Sequence, residues 1–260
     1  MMKNASHPVV ITRPLAQAVP LAQRVRDVGR VPVVFPLLDI LPLPDSRPLQ
    51  EALADLHDYA MVAFVSPNAI DAAFAWIKDW PQDAAIAVVG EGSKAALARH
   101  GVTVEHARII SPADPRRSDS QGLLQALDVE ALRGKRVLII RGESGRELLA
   151  DALQDSGVEV RKVAAYRRAA PELNEEKTAL LKQLIDGSCD WIITSSEALR
   201  NLIQLSGQIG QDDLIRKLQE QHLIVPHIRI EETARILGFQ HITLTGSGDE
   251  QLLAALQSHI

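Results

Sequence analysis

The sequence predicts an α/β protein with parallel sheets, and three observations carry that prediction. Short apolar runs alternate along the chain with segments of helical periodicity, which is typical of a parallel sheet covered by helices. Part of this pattern occurs twice, which indicates two similar domains. The residues that follow the strands are rich in Ser, Asn, Gly and Arg, which are types suited to binding anions.

The strands are predicted from apolar runs that are mostly β-branched or aliphatic on both faces, as strands covered by helices on two sides must be. Segments between most of these runs have helical spacing, as at Leu21, Val25 and Val28. The predicted strands are Val9–Thr12, Pro32–Phe35, Met61–Val65, Ile86–Val89, Ala107–Ile110, Val137–Ile140, Val158–Val163, Trp191–Thr194, Leu223–Val225 and His241–Leu244.

The internal repeat involves pairs of strand–turn–helix segments. Val9–Pro14 matches Val137–Gly142, and each is followed by a helical segment that ends at Asp-x-Gly. A second pair is Val62–Ile70 and Trp191–Leu199. Because there are only two copies, the repeat indicates duplication of a domain rather than a solenoid.

The order of the copies predicts how the chain is divided. The unit that opens the chain has its counterpart at the end of the middle block, so the chain is expected to begin one domain, build the second and return. Domain 1 is predicted at 1–38 and 168–260, and domain 2 at 42–164. The two crossings, 39–41 and 165–167, are expected to pair as linker strands.

Composition narrows the function classes. A net charge of −5 and an aromatic content of 3% argue against nucleic-acid binding, which usually needs a basic face. The single cysteine excludes a disulfide framework and a Cys-based cluster, and the scattered histidines indicate no metal site. Met1–Pro8 does not resemble a signal peptide, and no apolar run approaches the ~20 residues of a membrane span. A cytoplasmic location is expected.

Candidate binding residues follow the predicted strands, where open parallel sheets bind ligands beside helix N-termini. These residues are Arg13, Ser66, Asn68, Ser93, Arg141, Ser195, Ser196 and Arg229. The alternative for the serines is helix capping, and the alternative for an isolated arginine is a surface ion pair. An arginine at the same position of both copies, Arg13 and Arg141, supports a functional role as much as a surface ion pair.

Tyr166 is a candidate of a different kind. It is one of two tyrosines, lies at the predicted return crossing and precedes Arg167. A phenol at a hinge, facing a cleft, could donate a proton or hold a leaving hydroxyl. The alternative is an amphipathic residue at the rim.

Several short motifs occur in a specific order over nearly the whole chain. They are Thr12-Arg13-Pro14, Phe64–Ala69, Val89-Gly90 with Ser93, Asp119–Leu124, Ile140–Leu149 and Tyr166-Arg167. Each is weak by itself, but together, in this order and spacing, they resemble the uroporphyrinogen-III synthase family. The loop Pro226–Arg229 departs from the family pattern, because Ile228 and Arg229 stand where a hydroxyl residue is common.

The resemblance implies two flavodoxin-like domains joined by a two-stranded linker. It also implies that the substrate is hydroxymethylbilane, a linear tetrapyrrole rich in carboxylates, which cyclises without a cofactor. Loss of the terminal hydroxyl would give an azafulvene, ring D would attack to form a spiro intermediate, and re-closure would leave that ring inverted. Tyr166 would assist departure of the hydroxyl, and the candidate binding residues would hold carboxylates or shape the cleft.

Two other function classes remain open at this point. A two-domain protein that binds a small anion without catalysis would explain the duplication and the polar loops equally well. A nucleotide-dependent transferase is disfavoured, because Gly90-x-Gly92 is too short for a dinucleotide fingerprint and no G-x-x-x-x-G-K-[ST] motif occurs. A monomer is expected, with a possible transient hand-over of substrate from the enzyme that makes the bilane.

Overall fold

The computed structural model describes residues 7–114, 117, 119–211 and 213–258. Most of the N-terminal segment whose composition argued against a signal peptide therefore lies outside the described residues. The strands are β1 (Val9–Ile11), β2 (Pro32–Val34), β3 (Asp39–Leu41), β4 (Met61–Phe64), β5 (Ala85–Val88), β6 (Ile109–Ile110), β7 (Arg136–Gly142), β8 (Glu159–Ala169), β9 (Asp190–Ile192), β10 (His222–Val225) and β11 (His241–Leu244).

The helices begin, in most cases, within a few residues of a strand end. They are α1 (Leu15–Asp27), α2 (Arg47–Ala54), α3 (Pro67–Phe74), α4 (Glu91–Arg99), α5 (Ser120–Ala126), α6 (Leu148–Asp155), α7 (Glu175–Asp186), α8 (Ser196–Gln208), α9 (Leu214–Gln219), α10 (Ile228–Ile236) and α11 (Asp249–Ser258). The chain divides into two compact units. Unit 1 contains Met1–Asp39 and Ala169–Ile260, and unit 2 contains Ile40–Arg168.

The sheet of unit 1 has the strand order β2-β1-β9-β10-β11, and all its pairings are parallel. Val10 in β1 pairs with Val33 in β2 and with Trp191 in β9. Side chains alternate between two buried faces, so that Trp191 packs in one apolar cluster and Ile192 in the other. Burial on both faces explains why these strands have no polar alternation in the sequence.

The sheet of unit 2 has the order β3-β8-β7-β4-β5-β6. The pairings from β8 to β6 are parallel, and Val62 in β4 lies beside Ile86 in β5 and Leu138 in β7. Apolar clusters again cover both faces. The α/β fold with parallel sheets is therefore as predicted.

The repeat in the sequence corresponds to a repeat in topology. β1 lies between β2 and β9, and its counterpart β7 lies between β8 and β4. The helices that follow β1 and β7, α1 and α6, both lead into a glycine in the left-handed region. Gly29 has φ +79° and Gly157 has φ +82°, a conformation common just beyond helix C-termini.

The segments predicted to cross between domains are both extended. β3 covers residues 39–41 and neighbours β8 in the six-stranded sheet. β8 differs from the prediction because it is one strand of eleven residues, rather than a strand at 158–163 followed by a separate linker. Its length follows from β7, which continues to Gly142 and keeps pairing with β8 as far as Tyr166. That these strands act as a linker stays a prediction.

Within the described residues, none of the helices combines the length and the apolar character that crossing a bilayer requires.

Candidate functional site

The predicted site residues lie at or just beyond the carboxyl ends of neighbouring strands. In unit 1, Arg13 follows β1, Ser195 and Ser196 follow β9, and Arg229 follows β10. In unit 2 they are spread over β4, β5, β7 and β8, which are adjacent in the sheet. They are Ser66, Asn68, Ser93, Arg141 and Tyr166. Because parallel strands end at the same edge, each unit collects its own set at one edge.

Ser66 and Tyr166 are hydrogen-bonded to each other. Their Oγ and Oη atoms lie 3.0 Å apart. Ser66 is also the N-cap of α3, and its Oγ accepts the backbone N–H of Ala69 at 3.1 Å. The serine therefore has the capping role that was the alternative to ligand binding, and in addition contacts the candidate catalytic phenol.

Tyr166 is buried, with 4% of its surface exposed, and belongs to the larger apolar cluster of unit 2. It lies opposite Gly142, where the register between β7 and β8 shifts by one residue. A Cβ atom on Gly142 would lie 3.1 Å from Cζ and 3.3 Å from Oη of the tyrosine. The ring thus packs directly on glycine backbone. Within its own unit the phenol is therefore largely enclosed, and that it faces a cleft stays a prediction.

Arg141 lies inside β7 rather than beyond its end, and only 8% of its surface is exposed. The prediction placed it after the strand, but pairing with the long β8 extends β7 past it. Its Nη1 donates to Oε1 of Glu147 at 2.7 Å, and Nζ of Lys162 donates to the other carboxylate oxygen at 2.8 Å. Hydrogen bonds from Lys162 and Arg141 hold the pKa of Glu147 below its usual value.

The remaining predicted residues of unit 2 are in α3 and α4. Asn68 is half-buried in the first turn of α3. Ser93 is buried in α4, whose N-cap is Gly90, so the capping alternative is wrong for Ser93. Its Oγ has no hydrogen-bond partner among the described residues. This hydroxyl is unusual, since buried polar groups are nearly always paired.

In unit 1, the Arg13 guanidinium pairs with the Asp249 carboxylate, which begins α11, at 2.7 Å. Arg24 shares that carboxylate at 3.6 Å. Arg13 is mostly buried and already has a counter-charge within its own unit. An anionic ligand would therefore exchange with Asp249 or add to the pair.

Ser195 and Ser196 have different roles at the start of α8. Ser195 is the N-cap, and its Oγ accepts the N–H groups of Glu197 and Ala198. Ser196 is the first helical residue, not a cap. Its Oγ lies 3.0 Å from Oγ1 of Thr233.

The loop Pro226–Arg229, which differs from the family pattern, leads into α10. His227 is the N-cap, and its Nδ1 accepts the backbone N–H of Arg229 at 3.2 Å. The carbonyl oxygen of Arg229 accepts from Oγ1 of Thr233 at 2.8 Å. His227 therefore caps this helix, and neither Ile228 nor Arg229 does.

Sequence reasoning missed the partners of the predicted residues. Glu147 and Asp249 carry no local signal, because a lone acid in a loop is common, and nothing in the sequence pairs Gly142 with Tyr166. Gly142 itself belongs to the internal repeat, where it matches Pro14 of the other copy. In the part of the chain that the structure describes, no three or more His, Cys, Asp or Glu side chains gather in a group that could hold a metal ion.

Comparison with known sequences gives consistent matches. A family model described as "Uroporphyrinogen-III synthase HemD" matches residues 19–247. The uroporphyrinogen-III synthase of Salmonella typhimurium is 32% identical over 214 residues, which cover 80% of this chain and 83% of the relative. The Escherichia coli enzyme of the same name is 31% identical over 214 residues, with the same coverage.

Comparison with solved structures concerns the fold. The structure of uroporphyrinogen-III synthetase from Helicobacter pylori aligns with a TM-score of 0.60 and 15% identity, covering 97% of this chain and 99% of that one. A mutant uroporphyrinogen III synthase from Thermus thermophilus aligns with a TM-score of 0.58 and 15% identity, covering 97% and 98%. Both share the α/β fold described above.

Proposed function

Because the chain belongs to the uroporphyrinogen-III synthase family, a family of lyases, we propose that it cyclises hydroxymethylbilane to uroporphyrinogen III with inversion of ring D. The observation that carries this proposal is the family match over residues 19–247. The strand-end residues of each unit fall within that match, except for Arg13.

The substrate explains the kind of site. A linear polycarboxylate needs cationic and N–H donors at several places rather than one nucleophile, because the task is to hold one conformation that closes correctly. Each unit offers such donors at the carboxyl edge of its sheet. Guanidinium groups come from Arg13 and Arg141, and backbone N–H groups from the N-termini of α3, α4, α8 and α10.

The departing hydroxyl needs a proton. In the proposed reaction, Oη of Tyr166 donates its proton to that oxygen while the carbon–oxygen bond breaks, and water leaves. The pyrrole nitrogen supplies the electron pair that forms the azafulvene. Ring D then attacks to form the spiro intermediate, and the proton lost from carbon after re-closure returns the phenol to its starting state. The reaction is balanced by the loss of one water.

The finer architecture is part of the proposal. Numbered within unit 1, the strand order β2-β1-β9-β10-β11 becomes 2-1-3-4-5, which is the flavodoxin-like order. In unit 2, β7 and β8 take the places of strands 1 and 2, and β4, β5 and β6 those of strands 3, 4 and 5. The order β8-β7-β4-β5-β6 is then again 2-1-3-4-5, although the chain forms β4 to β6 first. Both support two flavodoxin-like domains. The linker strands 39–41 and 165–167, a cytoplasmic location, a monomeric state and substrate hand-over remain predictions.

The decisive experiment supplies freshly prepared hydroxymethylbilane to the purified protein. The products are oxidised, and the type I and type III isomers are separated by chromatography. We expect type III to dominate, because the bilane cyclises unaided to type I. Type I alone, at the rate of the protein-free control, would contradict the proposal. If it were accompanied by saturable binding of the bilane, it would favour the anion-binding alternative.

A further inference from the structure

We propose that Ser66 and Gly142 are positioning residues for Tyr166: Ser66 donates a hydrogen bond to the phenol oxygen, and Gly142 provides the space in which the ring lies. The inference rests on the proposed function, because it concerns how Tyr166 delivers its proton. The observation behind it is the contact of 3.0 Å between Oγ of Ser66 and Oη of Tyr166.

The proposed direction of this hydrogen bond is compatible with the cap. Oγ of Ser66 already accepts the N–H of Ala69 at the start of α3. Its hydroxyl hydrogen is therefore available to the phenol oxygen 3.0 Å away. When Ser66 donates, the proton of Tyr166 is left to point elsewhere. In the proposed direction, a serine held at a helix N-terminus leaves the phenol proton for the substrate.

Backbone contacts of β7 also position the tyrosine. Just beyond the shift of register, the backbone N–H of Glu143 donates to the carbonyl oxygen of Tyr166 at 2.8 Å. The ring then lies against Gly142, where a methyl group would come within 3.1 to 3.3 Å of two ring carbons and the phenol oxygen. A side chain at this position would displace the phenol by a few tenths of an ångström. Glycine thus permits the close approach of the ring to the backbone.

The chemistry gives the serine a role in the reaction. As Tyr166 passes its proton to the leaving hydroxyl, its oxygen becomes a phenolate. The hydrogen bond from Ser66 then has an anionic acceptor and becomes stronger, because hydrogen bonds to charged groups exceed those between neutral groups. The interaction is stronger in the transition state than in the ground state, which is the condition for a rate effect. The proton that returns to Tyr166 at the end restores the starting hydrogen bond.

The contact can be measured without any activity. The chain has two tyrosines, Tyr59 and Tyr166, so tyrosine labelled with ¹³C at Cζ gives two resonances. Tyr59→Phe and Tyr166→Phe assign them. We expect Ser66→Ala and Gly142→Ala to shift the Tyr166 resonance and to leave that of Tyr59 in place. An unshifted Tyr166 resonance in Ser66→Ala would overturn the inference.

The kinetic test separates donation from capping. Ser66→Thr keeps a hydroxyl that can both cap α3 and donate to Tyr166, so its activity should be close to that of the wild type. Ser66→Asp keeps a good N-cap, but its carboxylate cannot donate, so it should lose activity as Ser66→Ala does. For both we expect kcat to fall roughly 10- to 100-fold with a smaller change in KM. Gly142→Ala should lower kcat by about tenfold through displacement of the ring. Full activity in Ser66→Asp would contradict a donor role.

Two further measurements separate a positioning role for Ser66 from a purely structural one. In the Tyr166→Phe background, Ser66→Ala should cause no further loss of kcat, because its effect passes through the phenol; an independent loss would overturn the positioning role. Asn174→Ala is the control for loss of a cap, because Asn174 caps α7 through Lys177 and lies outside the proposed site. It should keep full activity. If the wild-type protein makes no type III isomer, the proposed function fails, while the ¹³C experiment still tests the contact.

Discussion

Oδ1 of Asp190 lies 2.6 Å from Nδ1 of His222, although the two residues are far apart in the sequence. Both begin their strands, β9 and β10, so this pair lies at the amino-terminal edge of the unit 1 sheet, opposite the proposed site. The other imidazole nitrogen is bonded to Thr243 at 2.9 Å. The second carboxylate oxygen of Asp190 pairs with the buried guanidinium of Arg30. The Asp190 carboxylate in β9 thus contacts β10 and Arg30 directly, and His222 extends the connection to β11.

Replacing Asp190 with Asn should lower the free energy of unfolding by about 3 kcal/mol, because it leaves the Arg30 guanidinium buried without a counter-charge. Burial raises the pKa of Asp190, but hydrogen bonds from His222 and Arg30 outweigh it, and the pKa lies below its usual value. The difference in the free energy of unfolding between Asp190→Asn and the wild type should therefore be largest above the usual carboxyl pKa. It should shrink as the pH falls through the lowered pKa of the native state.

Urea unfolding at neutral and at acidic pH measures this difference. Asp45→Asn is the matched control, because Asp45 forms an exposed ion pair with Arg47 and should change stability little. A loss in Asp190→Asn no larger than in that control would contradict the structural role of the carboxylate.

Cys189 should be unreactive in the native protein. Burial, together with the neighbouring charge of Asp190, raises the pKa of its thiol to about 11, so little thiolate exists at neutral pH. A colorimetric disulfide reagent should label the native protein far more slowly than the protein in denaturant. Because this is the only cysteine, the labelling rate reports one site. Equal rates in the two states would show that the thiol is accessible.

The strands were predictable because their signal is local. A run such as 137–140 is apolar on both faces wherever it lies, and its burial between helices follows from that composition alone. The glycines after α1 and α6 were predictable for a similar reason, since a helix end at Asp-x-Gly is set by neighbouring residues.

The contacts of the site were not predictable in this way. Ser66 and Tyr166 are separated by 100 residues, and their contact depends on the bulge between β7 and β8. No pattern in either segment encodes that shift of register. The position of Arg141 inside its strand depends on the same pairing. Long-range register, rather than local preference, decides which polar groups meet.

Replacing Arg141 or Arg13 with Gln should raise KM for hydroxymethylbilane roughly ten- to a hundredfold, with a smaller effect on kcat. The reason is the loss of a charge-assisted hydrogen bond to a substrate carboxylate, worth roughly 1.5–3 kcal/mol. Steady-state kinetics of type III formation measures both constants. Arg47→Gln is the control, because Arg47 is exposed and pairs with Asp45. Unchanged KM in both site variants would remove the two arginines from substrate binding.

Tyr166→Phe should lower kcat by about 100-fold or more while the protein stays folded, because general acid catalysis contributes roughly 10²–10⁴. Phenylalanine keeps the ring against Gly142 and removes only Oη, so the apolar packing of the unit is retained. The free energy of unfolding should fall by about 1 kcal/mol, the typical contribution of one hydrogen bond.

Tyr59→Phe provides the matched control for this loss. Tyr59 is also buried in unit 2, and its Oη accepts from Nη1 of Arg161 at 3.2 Å, so its replacement removes a comparable hydrogen bond. Single-turnover formation of the type III isomer should be slow in Tyr166→Phe and normal in Tyr59→Phe, with similar unfolding curves for both. Equal turnover in the two variants would mean that the phenol of Tyr166 has only a structural role, because the chemistry would then proceed without its proton.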